Sequence, residues 1–496
     1  MIESRQSLCR AILICGLAIA FQAAAVALEP EWISQLSEGP GFQDGGAVIT
    51  QFPSRLPFAS ADGRFVVFSV AAGWPTGDVY VRDRELGETQ LVSVTPDGHA
   101  GDLTSDIAVI SADGRFVVFQ SAASNLVADD DNASFDVLLR DLETNTTSTI
   151  SRSRLRAGTA DGNSHLLTAS RDAEVIVFYS YASDLVPEPG VFLGPEIYAH
   201  DRRTGDTTML TLGMDGVGQS ADSFIPFAAI SDDGRRVAFA VLGDQMVVGD
   251  TNGARDIFVR DLEKGTVQLV SHRLGGAGSG NAGSTAPNIS ADGRYVVFAS
   301  EASDLVPGDA NDEWDLFRFD VETGHIDVVT ADRSGLARGG FIPAPQFDPF
   351  GTPIDAAGRR VAFISAASLT PEDQDEGLLD LYVRDLESGR IFWISTEDIA
   401  PSDAFFMRPE LDHNGRRIYF IVPLDGEPAM QLFVQDLETG HRRLLSRRGP
   451  EPADLGVSHL ALTETELFFM SASSHFADGD DDEHLDLFAL PLAPSR

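Results

Sequence analysis

Asn288 to Ser300 reads NISADGRYVVFAS. The residues ISADGR describe a strand that ends in a tight Asp-Gly turn, and YVVF is a short apolar strand running back from it. Four consecutive aromatic and β-branched residues between turn signals are too few for a helix and suit a strand covered on both faces. Just upstream, Asp256 to Ser271 reads DIFVRDLEKGTVQLVS, a second hairpin with Lys264-Gly265 at its tip. One such pair of hairpins supplies four short antiparallel strands. They cannot bury both faces alone and must stack on neighbouring units.

Near-copies of the pair run from end to end. The turn recurs at Gly63, Gly114, Ala173, Gly234, Gly293, Gly358, Gly415 and, in altered form, Thr465, in steps of 50 to 65 residues. The second hairpin recurs from Asp78, Asp136, Glu196, Asp256, Asp315, Asp380 and Gln431. An eighth copy stops at DLFALPL, without a fourth strand. Its replacement is near the start, because Glu31-Trp32-Ile33-Ser34 matches Phe392-Trp393-Ile394-Ser395 at the end of the sixth unit. The expected fold is therefore all-β, an eight-bladed β-propeller in which the N-terminal strand completes the last blade. Seven blades are the alternative if the eighth unit does not form.

The element SADGR-FVVF resembles the repeat of TolB-type, WD-like β-propellers, whose usual form is Ser-Pro-Asp-Gly, a basic residue and an apolar strand. Ala stands in place of Pro at Ala61, Ala112 and Ala291. The resemblance covers nearly all of the chain after its first residues. It implies the propeller and leaves the activity open, since such propellers serve as binding modules, enzyme scaffolds and regulatory domains. The small α/β domain that precedes the TolB propeller has no counterpart here.

Residues 1–27 have the pattern of a secretory signal peptide: Arg5 and Arg10, an apolar run from Ala11 to Ala20, and Ala25-Val26-Ala27 as a cleavage site. The expected organisation is a signal peptide at 1–27 and a propeller at 28–496, located in the periplasm or secreted. Both cysteines, Cys9 and Cys15, lie in the first segment. The mature chain then has no disulfide, zinc-thiolate site or cysteine nucleophile. Loss of Arg5, Arg10 and Glu3 takes the net charge from −40 to −41, which excludes a nucleic-acid partner on electrostatic grounds and favours cations or basic partners. No later segment has the apolar length of a membrane span, and a monomer is expected.

The loops between the second and third strands of each unit are acidic: Asp129-Asp130-Asp131-Asn132 with Asp136, Asp250 and Asn252 with Asp256, Asp309 and Asn311 with Asp315, and Asp373, Asp375 and Glu376 with Asp380. Short oxygen ligands at alternate positions suit a hard cation such as Ca2+; the same residues also end strands and solvate loops. The richest loop has Asp478, Asp480, Asp482 and Asp486, in D-x-D-x-D-x-x-x-D spacing that resembles the calcium loops of integrin-type propellers. These four residues are the metal-ligand candidates. Asp83, Asp141, Asp201, Asp261, Asp320, Asp385 and Asp436 stand where strand becomes turn and are expected to bond loop amides. No G-x-S-x-G or H-E-x-x-H motif occurs and no catalytic residue is assigned. The longest link, Arg338 to Ile354, is rich in Pro and Phe and could form a partner contact, plug the channel mouth or pack on its own blade. The expected function is an exported, non-catalytic module that binds a protein or small-molecule ligand. The alternative is an exported lyase or hydrolase acting on carbohydrate or another small substrate.

Overall fold

The computed structural model describes residues 30–34, 48–49 and 58–492, apart from 72–76, 187–193, 220–226, 277, 312, 338–352, 375–376, 397–398, 400–405, 425–428, 449–450, 474–475 and 477–484. Residues 1–27 and the greater part of the Pro/Phe-rich link therefore lie outside the described residues. The chain folds into eight blades without a helix among the described residues. Blade 5 shows the plan: strand a, Ser284–Ile289; b, Tyr295–Ser300; c, Asp315–Asp320; d, His325–Val328. All neighbours are antiparallel and consecutive. Blade 6 has three strands, Arg360–Ser365, Asp380–Asp385 and Ile391–Ile394, with Ile354 bridged to Val361 at the position of strand a.

The a-b turn forms as its residues dictate. The Ser290 hydroxyl donates to Asp292 at 2.6 Å and accepts from the Tyr295 amide at 2.9 Å, while the Arg294 amide donates to Asp292 at 3.0 Å. Gly293 has φ of 71°, and a Cβ there would stand 3.0 Å from Ser231 Cβ in the preceding blade. Glycine is thus favoured by backbone conformation and by the approach of the preceding sheet, although Ala173 takes the same conformation in blade 3 with φ of 52°. Strand b is fully enclosed, with Val296, Val297 and Phe298 at 0% exposure. In seven blades an aromatic ring of strand b stacks on one of strand c, as Phe298 does on Phe317 with centroids 5.6 Å apart. Such pairs add about 0.5–1.5 kcal/mol beyond area burial.

Eight blades form, so the seven-bladed alternative is overturned. Blade 8 contributes Val457–Leu462, Glu466–Ser471 and Asp486–Pro491, and its fourth strand is Glu31–Trp32. Glu31 pairs with Ala489 and Trp32 with Phe488, and the Ile33 amide donates to the Leu487 carbonyl at 2.8 Å. A polar latch secures this closure. Ser34 Oγ donates to Asp486 and accepts from the Leu487 amide, and Trp32 Nε1 donates to Asp486 at 2.8 Å. Asp486 is buried, so replacing Ser34 by Ala leaves a carboxylate short of a donor at a cost of about 1–3 kcal/mol. A Ser34→Ala chain is expected to unfold at lower urea with an unchanged slope; an unchanged midpoint would remove the latch from the account of closure.

Candidate functional site

The antiparallel plan puts the a-b and c-d turns at one end of the ring and the b-c loops and inter-blade links at the other. At the turn end, the residue after the turn Ser or its replacement projects into the channel from every blade. These are Ala61, Ala112, Arg171, Asp232, Ala291, Ala356, His413 and Glu464, around a cavity of about 330 Å³ whose walls include Thr168, Asn288 and Glu410. Their backbones join blade to blade. Six of the eight amides donate to the next carbonyl, from Ala61 to Ala112 at 2.8 Å, Ala112 to Arg171 at 2.8 Å, Arg171 to Asp232 at 3.1 Å, Asp232 to Ala291 at 2.9 Å, Ala291 to Ala356 at 3.2 Å and Ala356 to His413 at 3.2 Å. Proline has no N–H and would break this ring, which explains why the usual Ser-Pro-Asp-Gly is departed from here.

Arg171 pairs with Asp232 at 3.4 Å and with Glu464 of blade 8 at 2.8 Å. The salt bridge spans the mouth and joins non-adjacent blades. Burial raises the pKa of Asp232, against the opposing pull of Arg171. An Arg, a His and two carboxylates therefore meet at one mouth, at the end opposite to the acidic loops. Sequence reading had looked to the loop end, and the signal it lacked was the position of residue two of each turn.

The loop end shows what most acidic residues do. The first residue of strand c accepts a hydrogen bond from a hydroxyl following strand d: Ser93 to Asp78 at 2.7 Å, Ser151 to Asp136 at 2.6 Å, Ser271 to Asp256 at 2.5 Å and Thr330 to Asp315 at 2.5 Å. Thr211 serves Glu196, and Ser446 serves Gln431 at 2.6 Å. In blade 6 the indole of Trp393 donates to Asp380 at 2.7 Å. In two of the D-x-N-x-x-x-D loops the Asn also braces the last Asp, from Asn132 to Asp136 at 3.0 Å and Asn311 to Asp315 at 2.9 Å. Of the metal-ligand candidates, Asp478, Asp480 and Asp482 lie outside the described residues, and Asp486 is engaged in the closure latch. Among the described residues no group of three or more His, Cys, Asp or Glu side chains is placed to hold a metal.

The seven Asp residues at the ends of strand c bond loop amides as expected: Glu85 N to Asp83 at 3.0 Å and Lys264 N to Asp261 at 2.9 Å are two of these bonds. In six blades they also receive the Arg that follows the a-b turn, as in Arg115 to Asp141 at 2.8 Å. That guanidinium is the chief cause of the depressed pKa of Asp141. His200 stands where other blades have Arg and contacts Thr207 at 3.0 Å, a structural contact.

No family model matches the sequence, and no curated protein sequence matches it either. Solved structures do. The chain resembles dipeptidyl peptidase 4 of Porphyromonas gingivalis at 10% identity, over 88% of this chain and 60% of that one, with a TM-score of 0.53. It resembles an oligogalacturonate lyase of Vibrio parahaemolyticus at 12% identity, over 80% and 93%, with a TM-score of 0.45. It also resembles TolB of Acinetobacter baumannii at 14% identity, over 83% and 87%, with a TM-score of 0.32. These likenesses concern the β-propeller fold. Among the described residues no helix is long and apolar enough to cross a membrane.

Burial raises Asp136 to about 7, against the lowering effect of the Ser151 hydrogen bond. Its folded pKa lies above the unfolded value of about 3.9. The stability it contributes is therefore fully present below about pH 4 and is lost as pH rises through about 7. An amide is tolerated at this position, as Gln431 shows. The melting temperature of Asp136→Asn minus that of the parent is expected to be larger at pH 8 than at pH 5. A difference independent of pH would mean that the carboxyl is ionised throughout.

Proposed function

We propose that this protein is an exported, non-catalytic β-propeller of the TolB-type repeat class, monomeric, which binds a protein partner through its loop end. The supporting observation is an asymmetry. Of the large apolar side chains exposed among the described residues, only Leu86 lies at the turn end; the rest lie in b-c loops and links. Leu155 (62% exposed), Met214 (56%) and Leu274 (60%) sit on successive links, and Val248 (88%) on a b-c loop beside Leu274. A groove of about 700 Å³ between blades 4 and 5 has Val248, Leu274, Leu305, Pro307 and Phe319 in its walls. Apolar side chains concentrated on one end of a chain of net charge −40 suit a partner segment that is apolar and flanked by basic residues. The turn end offers less, because its amides are bonded to each other and Arg171 is held by two carboxylates.

Calcium at Asp478, Asp480, Asp482 and Asp486 belongs to the same reading, as a brace for the loop between the second and third strands of the closing blade. The signal pattern at residues 1–27 supports export.

A second reading, a lyase or hydrolase acting on carbohydrate or another small substrate, is favoured by the meeting of Arg171, Asp232, His413 and Glu464. Arg171→Ala separates the two. It is expected to leave partner binding intact, whereas loss of turnover of a sugar substrate in this variant would establish the second reading.

The binding reading is tested with Leu155→Ser, Met214→Ser and Leu274→Ser combined. This chain is expected to melt as the parent does, since the three side chains are mostly in water, and to bind a partner recovered by cross-linking at least about tenfold more weakly, as two or three lost apolar contacts imply. Equal affinity in the two chains would sink the proposal.

A further inference from the structure

The loops Asp130-Asp131-Asn132…Asp136 of blade 2 and Asp250-Thr251-Asn252…Asp256 of blade 4 share one pattern and differ in how their charge is met. In blade 2, Thr159 donates to Asp130 at 3.2 Å, Asn132 donates to Asp136, and Arg156 from the adjoining link pairs with Asp131 at 2.7 Å and with Asp184 at 3.2 Å. Arg156 also acts on Asp136 through its charge. In blade 4 the residue aligned with Arg156, five positions after the latch serine, is Gly276. Asn252 otherwise sits as Asn132 does: its amide donates to the Gly280 carbonyl at 2.9 Å and its oxygen accepts from the Ala254 amide at 2.8 Å, as Asn132 donates to Ala160 and accepts from Ser134. Arg255, next to Asp256 in the chain, reaches Thr285 at 3.3 Å instead.

Two carboxyls are thus left facing each other within the fold. Asp250 is 3% exposed and Asp256 is 0% exposed. Both oxygens of Asp250 and Oδ2 of Asp256 find no donor in good hydrogen-bond geometry, although Ser279 stands close to Asp250, Asn252 close to Asp256, and the two carboxyls within reach of each other. Uncompensated buried carboxylates at this separation are strongly unfavourable. We infer that blade 4 binds a calcium ion between Asp250 and Asp256, in the place that Arg156 serves in blade 2. Three orphaned oxygens from two short carboxylates form an all-oxygen donor set, and the Ser279 hydroxyl stands beside Asp250. Water completes the about six to eight ligands that calcium takes. The site is independent of the blade 8 loop and of the partner-binding reading. It ties the b-c loop of blade 4 to the link that carries Leu274, since Ser279 donates its amide to the Gly249 carbonyl at 3.2 Å and accepts from the Thr251 amide at 3.3 Å.

The test uses the full chain, freed of metal by chelator and titrated with calcium chloride at pH 7.5, followed by calorimetry and by melting. Asp250→Asn and Asp256→Asn are compared with the parent and with an Asp478→Asn, Asp480→Asn double variant. The second of these keeps an oxygen for Ser271, so one variant can be read if the other fails to fold. Asp250→Asn is expected to lose one equivalent of bound calcium and the rise in melting temperature that accompanies it, while its chelated form melts no lower than the parent. The double variant is expected to keep that equivalent. Equal stoichiometry in the parent and both single variants would overturn the site. So would variants that stabilise the chelated chain while calcium has no effect on the parent, because the carboxyls would then be sharing a proton.

Discussion

The outer strand of each blade is four residues long or shorter, and what holds it is a hydroxyl or indole bonded to the first polar residue of strand c. The same bond appears in all eight blades, with Asp, Glu or Gln as acceptor. Ser34 and Trp32 make it in blade 8 exactly where Trp393 makes it in blade 6. A ladder of two to four pairs is a marginal attachment for a strand at a sheet edge. The latch adds a buried hydrogen bond at its far end, and where the acceptor is an ionised carboxylate that bond is charge-assisted, of the kind that is roughly twice as strong as a neutral one. Ring closure uses the same device, so the chain's two ends meet by the interaction that finishes every blade.

The other end of each blade is tied differently. The Arg after the a-b turn binds the Asp that ends strand c, and that Asp also caps the amides of the c-d turn. Inside this circle runs the amide ring around the channel mouth. Both sets of bonds rest on backbone groups and on a few repeated side chains, so the turn end is nearly the same in blade after blade. The variation that reaches the channel is at residue two of the turn. There, the pairs Arg171-Asp232 and His413-Glu464 alternate with pairs of alanine around the eight positions. With most amides of the mouth already donating to carbonyls, few remain to stabilise a developing negative charge.

How much of this could be read from the sequence depended on whether the partners lie within one repeat. The strands, the Asp-Gly turns and the Asp caps at the c-d turns involve residues a few positions apart, and their roles are legible. Closure was legible because Trp32-Ile33-Ser34 repeats the Trp393-Ile394-Ser395 that ends the sixth unit. The acidic loops were not, because their meaning is set by distant residues. Asp136 and Asp256 end loops of the same D-x-N-x-x-x-D pattern, yet one lies near Arg156 while Gly276 stands at the aligned position for the other, each some twenty residues away on the link to the next blade. The mouth was missed for a related reason. Eight residues about 60 positions apart converge only when the circle closes, and no local pattern marks them.

The links explain how one end can vary while the fold does not. Three link tips are bound by their backbone to the b-c loop of the following blade, Arg154 to Asp184 at 2.7 Å, Met214 to Gln245 at 2.8 Å and Leu274 to Asp304 at 2.8 Å. The return limb leans on the loop of the preceding blade so closely that a Cβ on Gly158 would lie 2.1 Å from the Asp129 carbonyl oxygen. Since these attachments use main-chain atoms and glycine, they do not depend on which apolar side chain stands at the tip. Exposed leucine and methionine there gain nothing for folding, because they remain in water. A chain whose composition is otherwise strongly acidic can keep such residues on one end without cost to its core, and the end so equipped is the one whose surface differs from blade to blade.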